Sequence, residues 1–167
     1  NGSGKTTLVK ILSTLYQDYQ GKVFFGNQEL KNLDPNLVRE KIGILFQDFV
    51  RYELSARENI AFGNLSKIGD TAEITSIVSD VGLDKRIENI DMQLGFWFED
   101  GVQLSGGEWL KIALGRAFIR DADLYLLDEP NAALDAISEK KILQTFKKLV
   151  KGKIGIIISH RISSIKD

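Results

Sequence analysis

The sequence predicts an α/β fold with an inserted helical region, on three observations. Short apolar runs rich in β-branched and aromatic residues recur along the chain, and amphipathic helical patterns alternate with them. From about residue 55 to about residue 120 helical patterns dominate instead, with no convincing strand. Alternation of the first two kinds argues for helices packed on a sheet, and 167 residues suffice for one domain with a sizeable core.

Over 6–15, Leu8, Ile11, Leu12 and Leu15 recur at i, i+3, i+4 and i+7, the mark of an amphipathic helix. Residues 23–25 read as a short strand. The runs 42–46, 124–127 and 154–158 are almost unbroken apolar stretches, as expected of strands buried on both faces of a sheet. Helices are predicted at 57–62, 71–81 and 106–119. The last helix, over 136–151, presents Ile142, Leu143, Phe146, Leu149 and Val150 on one face. Lys140, Lys141, Lys147, Lys148, Lys151 and Lys153 cluster around it and read as a solvated face.

Composition narrows the function classes. A net charge of −1 gives no support for a nucleic-acid surface. The absence of cysteine excludes disulfides and thiolate metal sites. No apolar run approaches the roughly 20 residues that span a bilayer, and no basic-then-apolar leader opens the chain. Residue 1 is Asn and falls inside a motif; the sequence reads as a piece of a longer protein.

That motif is "NGSGKTT", the tail of G-x-x-x-x-G-K-[ST], in which backbone N–H groups at a helix start cradle phosphate oxygens. Asn1, Gly2, Ser3, Gly4, Lys5, Thr6 and Thr7 are the candidate ATP-binding residues. In this chemistry the lysine reaches the β- and γ-phosphates and the Thr6 hydroxyl ligates Mg²⁺. "ADLYLLDEP" is an apolar strand ending in two carboxylates: Asp128 is suited to hold Mg²⁺ and Glu129 to deprotonate an attacking water. Gln47 and His160, the only histidine, each follow an apolar run. Alone, Gln47 is compatible with polar punctuation and His160 with a capping role. Three sets of polar groups at three strand ends gain weight together, because open α/β sheets bind ligands at the carboxyl ends of their strands. "QLSGGEWL" opens a helix with Ser105 and Glu108 at capping-box spacing. Gly106 and Gly107 sit in its first turn, where glycine costs about 1 kcal/mol relative to alanine, and they leave N–H groups that an anion can approach.

The order of these elements, with "LSGGE", "LYLLDEP", "NAALD" and His160, resembles the ATP-binding cassette (ABC) family over essentially the whole chain. The resemblance implies a P-loop NTPase with a RecA-like core and an inserted helical subdomain. The core lobe is expected at about 1–54 and 121–167, and the helical subdomain at about 55–120. It further implies that Glu129, Gln47 and His160 are catalytic, with Glu129 the base. Thr6, Gln47 and Asp128 would serve the metal, Asp135 would close the D-loop, and ATP and Mg²⁺ would be the cofactors. Leu104, Ser105, Gly106, Gly107 and Glu108 would be the signature that contacts ATP on a second cassette, paired head to tail, expected as a homodimer. The D-loop has Ala132 where serine is common. By the same likeness, the first glycine of the phosphate loop and the aromatic that stacks on adenine belong upstream. The 167-residue piece is therefore expected to be a poor ATPase.

"ELSARENIAFG", "SHRISSIKD" and "WFEDGVQLSGGEW" resemble exporter-type cassettes, in which Glu99 would contact a membrane domain. The segments flanking the signature look most like bacterial exporters of peptide antibiotics such as lantibiotics. This implies an ATP-hydrolysing domain on the cytoplasmic face of a bacterial membrane, driving export, with the transmembrane domain fused upstream and no nucleic-acid partner. The alternative is a cassette ATPase without a membrane partner, of the translation-factor type. A chromosome-type member is excluded, because only 57 residues lie between Gln47 and Ser105, too few for a long coiled coil. The intact Lys5, Asp128, Glu129 and His160 argue against a purely structural cassette.

Overall fold

Three of the apolar runs form the central sheet. In the computed structural model, which describes residues 4–130 and 134–159, β3 (Ile42–Leu45), β4 (Leu124–Asp128) and β5 (Ile154–Ile158) lie side by side in that order. Both pairings are parallel, with Leu45 opposite Leu127 and Leu127 opposite Ile157. Preceding them are α1 (Lys5–Leu12), a short antiparallel pair β1 (Phe24–Phe25) and β2 (Gln28–Glu29), and α2 (Pro35–Glu40). Between β3 and β4 run α3 (Ala56–Ala61), α4 (Thr71–Asp80) and α5 (Gly106–Phe118), and α6 (Ala136–Leu149) crosses from β4 to β5.

Side chains alternate across a strand, and β4 divides its residues between two layers accordingly. Leu124 and Leu126 pack with Val9 of α1, Leu30, Val38 of α2, Ile42 and Ile158. Tyr125 and Leu127 join the larger cluster built from α3, α4, α5 and α6, including Ile60, Ile77, Leu114, Ile142 and Phe146. Every residue of β4 is buried, so it is the spine of the molecule. The segment between β3 and β4 carries no strand among its described residues, only two isolated bridges, Ser55 with Gln93 and Leu94 with Val102.

Two expectations are corrected. The first helix ends at Leu12 rather than Leu15, and Val9 is its buried residue, while Leu8 is 51% exposed. The helix is set on the sheet by Val9 against Leu126 rather than by the predicted stripe, of which Ile11 and Leu12 are only partly covered. β5 is not buried on both faces: Ile154 is 62% exposed and only Ile158 is buried. Its apolar run reads like that of a central strand, but among the described residues it pairs with β4 alone. A run's composition does not reveal whether a second neighbour covers it.

Close backbone approach fixes α3 against α5. A Cβ placed on Gly63, just past α3, would lie 1.9 Å from the carbonyl oxygen of Arg116, and one on Gly115 would lie 3.2 Å from Ile60 and Ile77. Gly63→Ala would have to push backbone apart, and overpacking of this kind costs about 1–3 kcal/mol. A lowered denaturation midpoint with unchanged denaturant dependence is expected for Gly63→Ala, and an unchanged midpoint would contradict this packing.

Candidate nucleotide site

The parallel register sets the heights of the candidate residues. Leu45, Leu127 and Ile157 form one row across the sheet, and Gln47, Glu129 and Ser159 each lie two residues beyond it. His160 follows at once but, with Asn1, Gly2, Ser3 and the D-loop residues 131–133, lies outside the described residues. Gln47 is exposed in a turn directly after β3. The structure therefore brings Gln47, Asp128 and Glu129 to one edge of the sheet.

Asp128 is the last residue of β4 and is 1% exposed. Neither carboxylate oxygen has a hydrogen-bond partner among the described residues. By the alternation along β4 it falls on the same face as Leu124 and Leu126, the face on which α1 packs. A buried carboxylate without a partner is costly, and a hard, oxygen-seeking cation with its waters is a chemical match for it. The Asp128 carboxylate thus fits Mg²⁺ chemically. The described residues hold no cluster of three or more His, Cys, Asp or Glu side chains that would form an all-protein cage.

Glu129 is half-buried and adopts φ 53°, in the left-handed region. For a residue with a side chain this costs about 1–2 kcal/mol, and the conformation is held by its N–H donating to the carbonyl of Ile158 at 2.9 Å. The strand is thereby broken and the chain redirected at the residue after Asp128.

Two helix starts singled out in the sequence differ in chemistry. α1 is preceded by Gly4 at φ 78°, which offers no side chain to cap the first turn. Lys5 is half-buried there, and Thr6 and Thr7 are exposed. α5, by contrast, carries the complete capping box. Ser105 Oγ accepts from the Glu108 N–H at 3.3 Å, and Glu108 Oε2 accepts from the Ser105 N–H at 2.8 Å. Arg86 reinforces it, its Nη2 donating to the Gln103 carbonyl at 2.6 Å and its Nε 3.9 Å from Glu108. Ser105 is exposed, Leu104, Gly106 and Gly107 half-exposed, so this helix start faces outward. Asp135 caps α6, its Oδ1 accepting from Ile137 and Ser138; the hydrogen bond from the Ser138 N–H holds its carboxyl below the usual range.

Sequence reasoning missed a polar centre on the segment that follows Gln47. Arg116 of α5 donates to the carbonyls of Val50 at 2.6 Å and Asn59 at 3.1 Å, and to Asn59 Oδ1 at 2.8 Å, with its guanidinium 4.7 Å from the Tyr52 ring centroid. Burial pushes its pKa down to about 10. Arg116 and Asn59 read in the sequence as ordinary polar positions of two helices. The one available signal was a second capping box at the start of α3, in which Ser55 Oγ accepts from the Glu58 N–H at 3.1 Å and Glu58 Oε2 from the Ser55 N–H at 2.9 Å.

A family model described as ABC transporter matches residues 1–132. The chain is 45% identical to the subtilin transport ATP-binding protein SpaT of Bacillus subtilis and 44% identical to the nisin transport ATP-binding protein NisT of Lactococcus lactis subsp. lactis. Each match covers 99% of this chain and 28% of the relative, so the chain spans little more than a quarter of those proteins. Its fold matches a bacterial Atm1-family ABC exporter with ATP bound at a TM-score of 0.87 and 29% identity, over 100% of this chain and 29% of that one. The fold is thus that of a P-loop, RecA-like ABC ATPase with a helical subdomain.

Asp128→Asn keeps the shape at the end of β4 and removes a charge. Leaving an unpaired charge buried costs more than leaving an amide. Without nucleotide, Asp128→Asn should therefore stabilise the full-length chain, by about 1–3 kcal/mol on the scale of a buried polar group. It should also reduce the further stabilisation conferred by Mg-ATP. Thermal melting with and without Mg-ATP checks both, and a less stable nucleotide-free variant would contradict the reading.

Proposed function

The chain belongs to the ABC transporter family, and we propose that it is the ATP-hydrolysing domain of a bacterial exporter, with Glu129 as the catalytic base. The observation that carries the assignment is the pair at the end of β4: a buried carboxylate without a partner among the described residues, Asp128, followed by a half-buried glutamate turned out of the strand by a left-handed backbone. In this reading residues Asn1 to Thr7 bind the phosphates of ATP, with Lys5 as the cation and the backbone N–H groups at the start of α1 as donors. Thr6, Gln47 and Asp128 hold Mg²⁺, which when bound neutralises phosphate charge. Glu129 takes the proton of the attacking water, Gln47 orients that water, and His160 contacts the γ-phosphate. The core lobe spans about 1–54 and 121–167 and the helical subdomain about 55–120.

The outward-facing start of α5 supports a second element of the proposal. Leu104, Ser105, Gly106, Gly107 and Glu108 form the signature that contacts ATP on a second copy, and Asp135 sits by the same interface. Nucleotide then belongs to the dimer contact, and its hydrolysis opens the pair. A transmembrane domain on the same polypeptide, upstream, would make the domain part of a transporter at the cytoplasmic face of the membrane. No helix among the described residues is long and apolar enough to cross a membrane, so any span lies elsewhere. A peptide cargo of the lantibiotic kind is supported by the likeness to proteins named for subtilin and nisin transport.

In the full-length chain, Glu129→Gln should cut ATP turnover by about 10²–10⁴-fold, the usual contribution of a general base, while ATP still binds. Steady-state hydrolysis beside a nucleotide-binding titration checks this, and near wild-type turnover would sink the assignment. The head-to-tail arrangement predicts an asymmetry between two mixed dimers. Ser105→Arg in one subunit with Lys5→Ala in the other damages one composite site. Both changes in one subunit damage two. Equal hydrolysis by the two arrangements counts against the arrangement when each composite site turns over independently.

A further inference from the structure

Residues 49–53 have no regular secondary structure, yet the carbonyls of the segment that follows Gln47 are not left to water. Arg116 takes that of Val50. Asn59, fully buried, donates its Nδ2 to those of Tyr52 at 2.8 Å, Leu54 at 3.2 Å and Ser55 at 3.0 Å. Asn59 is in turn gripped twice by Arg116, through its own carbonyl and its Oδ1. Two side chains thus do for residues 50, 52 and 54 much of what a neighbouring strand would do. Tyr52 closes the arrangement, its ring under the guanidinium and 4.9 Å edge-on to Phe62. A second tie runs to the loop ahead of α5, where the N–H groups of Phe96 and Trp97 donate to Glu53 Oε2, each at 2.8 Å.

We infer that Arg116, acting with Asn59, is a positioning residue that locks the Gln47 loop to α5, so that Gln47 and the helix start at Ser105 move as one body. The inference rests on the proposed roles of Gln47 and Ser105. Arginine is required because one planar fork serves three acceptors in fixed directions, whereas a lysine ammonium is a single point on a flexible stem. Arg116 touches neither nucleotide nor metal in this account; it acts through the loop.

The test is steady-state ATP hydrolysis by the full-length chain with Arg116→Lys, alone and combined with Gln47→Ala. Alone, Arg116→Lys should lower kcat by about 10-fold with KM for ATP within about twofold, since misplacement of a catalytic group from a distance costs up to about 10²-fold. In the Gln47→Ala background it should add no further loss, because residues acting through one another are non-additive. An unchanged kcat, a loss carried by KM, or the full loss repeated in the Gln47→Ala background would each overturn the inference, as would a Gln47→Ala variant with normal turnover. Should Arg116→Lys fail to fold, Tyr52→Leu removes the ring beneath the guanidinium from a 39% exposed position. It should give a smaller kcat loss that is again absent in the Gln47→Ala background; a kcat equal to wild type overturns the inference. A full-length parent polypeptide without hydrolysis, or one indifferent to Glu129→Gln, contradicts the hydrolase reading. Normal hydrolysis that is lost in Glu129→Gln and kept in Arg116→Lys overturns only this inference.

Discussion

Because β4 pairs in parallel with a neighbour on each side, no hairpin can join these strands, and every connection must leave at one edge and return to the other. The carboxyl ends of β3, β4 and β5 are therefore gathered on one side of the molecule. The crossover helices α3 to α6 cover one face of β4, and α1 and α2, which precede β3, cover the other. The only charged side chain within β3, β4 and β5, Asp128, sits at that edge, behind the buried residues Leu124 to Leu127. The site is thus a consequence of the pairing before it is a matter of particular side chains.

The strands and long helices were legible because burial on both faces and burial on one stripe write different periods into a sequence. The capping box at Ser105 was equally legible, since its two partners are three residues apart and local geometry decides the bond. The identical signal at Ser55 and Glu58 went unread although the sequence carried it. Of the candidate site, the residue types and their order could be read, while their shared height beyond the row Leu45–Leu127–Ile157 could not, because register is a tertiary fact. The left-handed backbone of Glu129 was also invisible; no glycine announces it, and it depends on a carbonyl of β5 about 30 residues away, held by long-range pairing.

The centre built on Arg116 and Asn59 was illegible for a different reason. Both residues lie on helices at positions where a polar side chain ordinarily meets water, and the sequence separation of 57 residues between them hides the contact. Only the close approach of α3 and α5, which Gly63 and Gly115 permit, brings the guanidinium within reach of Asn59 and of the Val50 carbonyl. One glycine just past α3 and one inside α5 are thus the condition for a hydrogen-bond network that no local rule would suggest.

The two costs at the end of β4 are adjacent, and that adjacency has a physical logic. Asp128 is buried without a partner among the described residues, and Glu129 is held in a backbone region that side chains avoid. Each works against folding by an amount on the order of 1–3 kcal/mol. They are tolerable at this position because the preceding residues, Leu124, Tyr125, Leu126 and Leu127, are covered on both faces of the sheet, and each large buried side chain contributes about 1.5–3 kcal/mol. A loop, or a strand such as β5 that pairs on one side only among the described residues and leaves Ile154 largely exposed, is a weaker anchor for the same pair. The most deeply buried strand therefore carries the least comfortable residues at its tip, and in the proposed reading a cation would supply the partner that Asp128 lacks among the described residues.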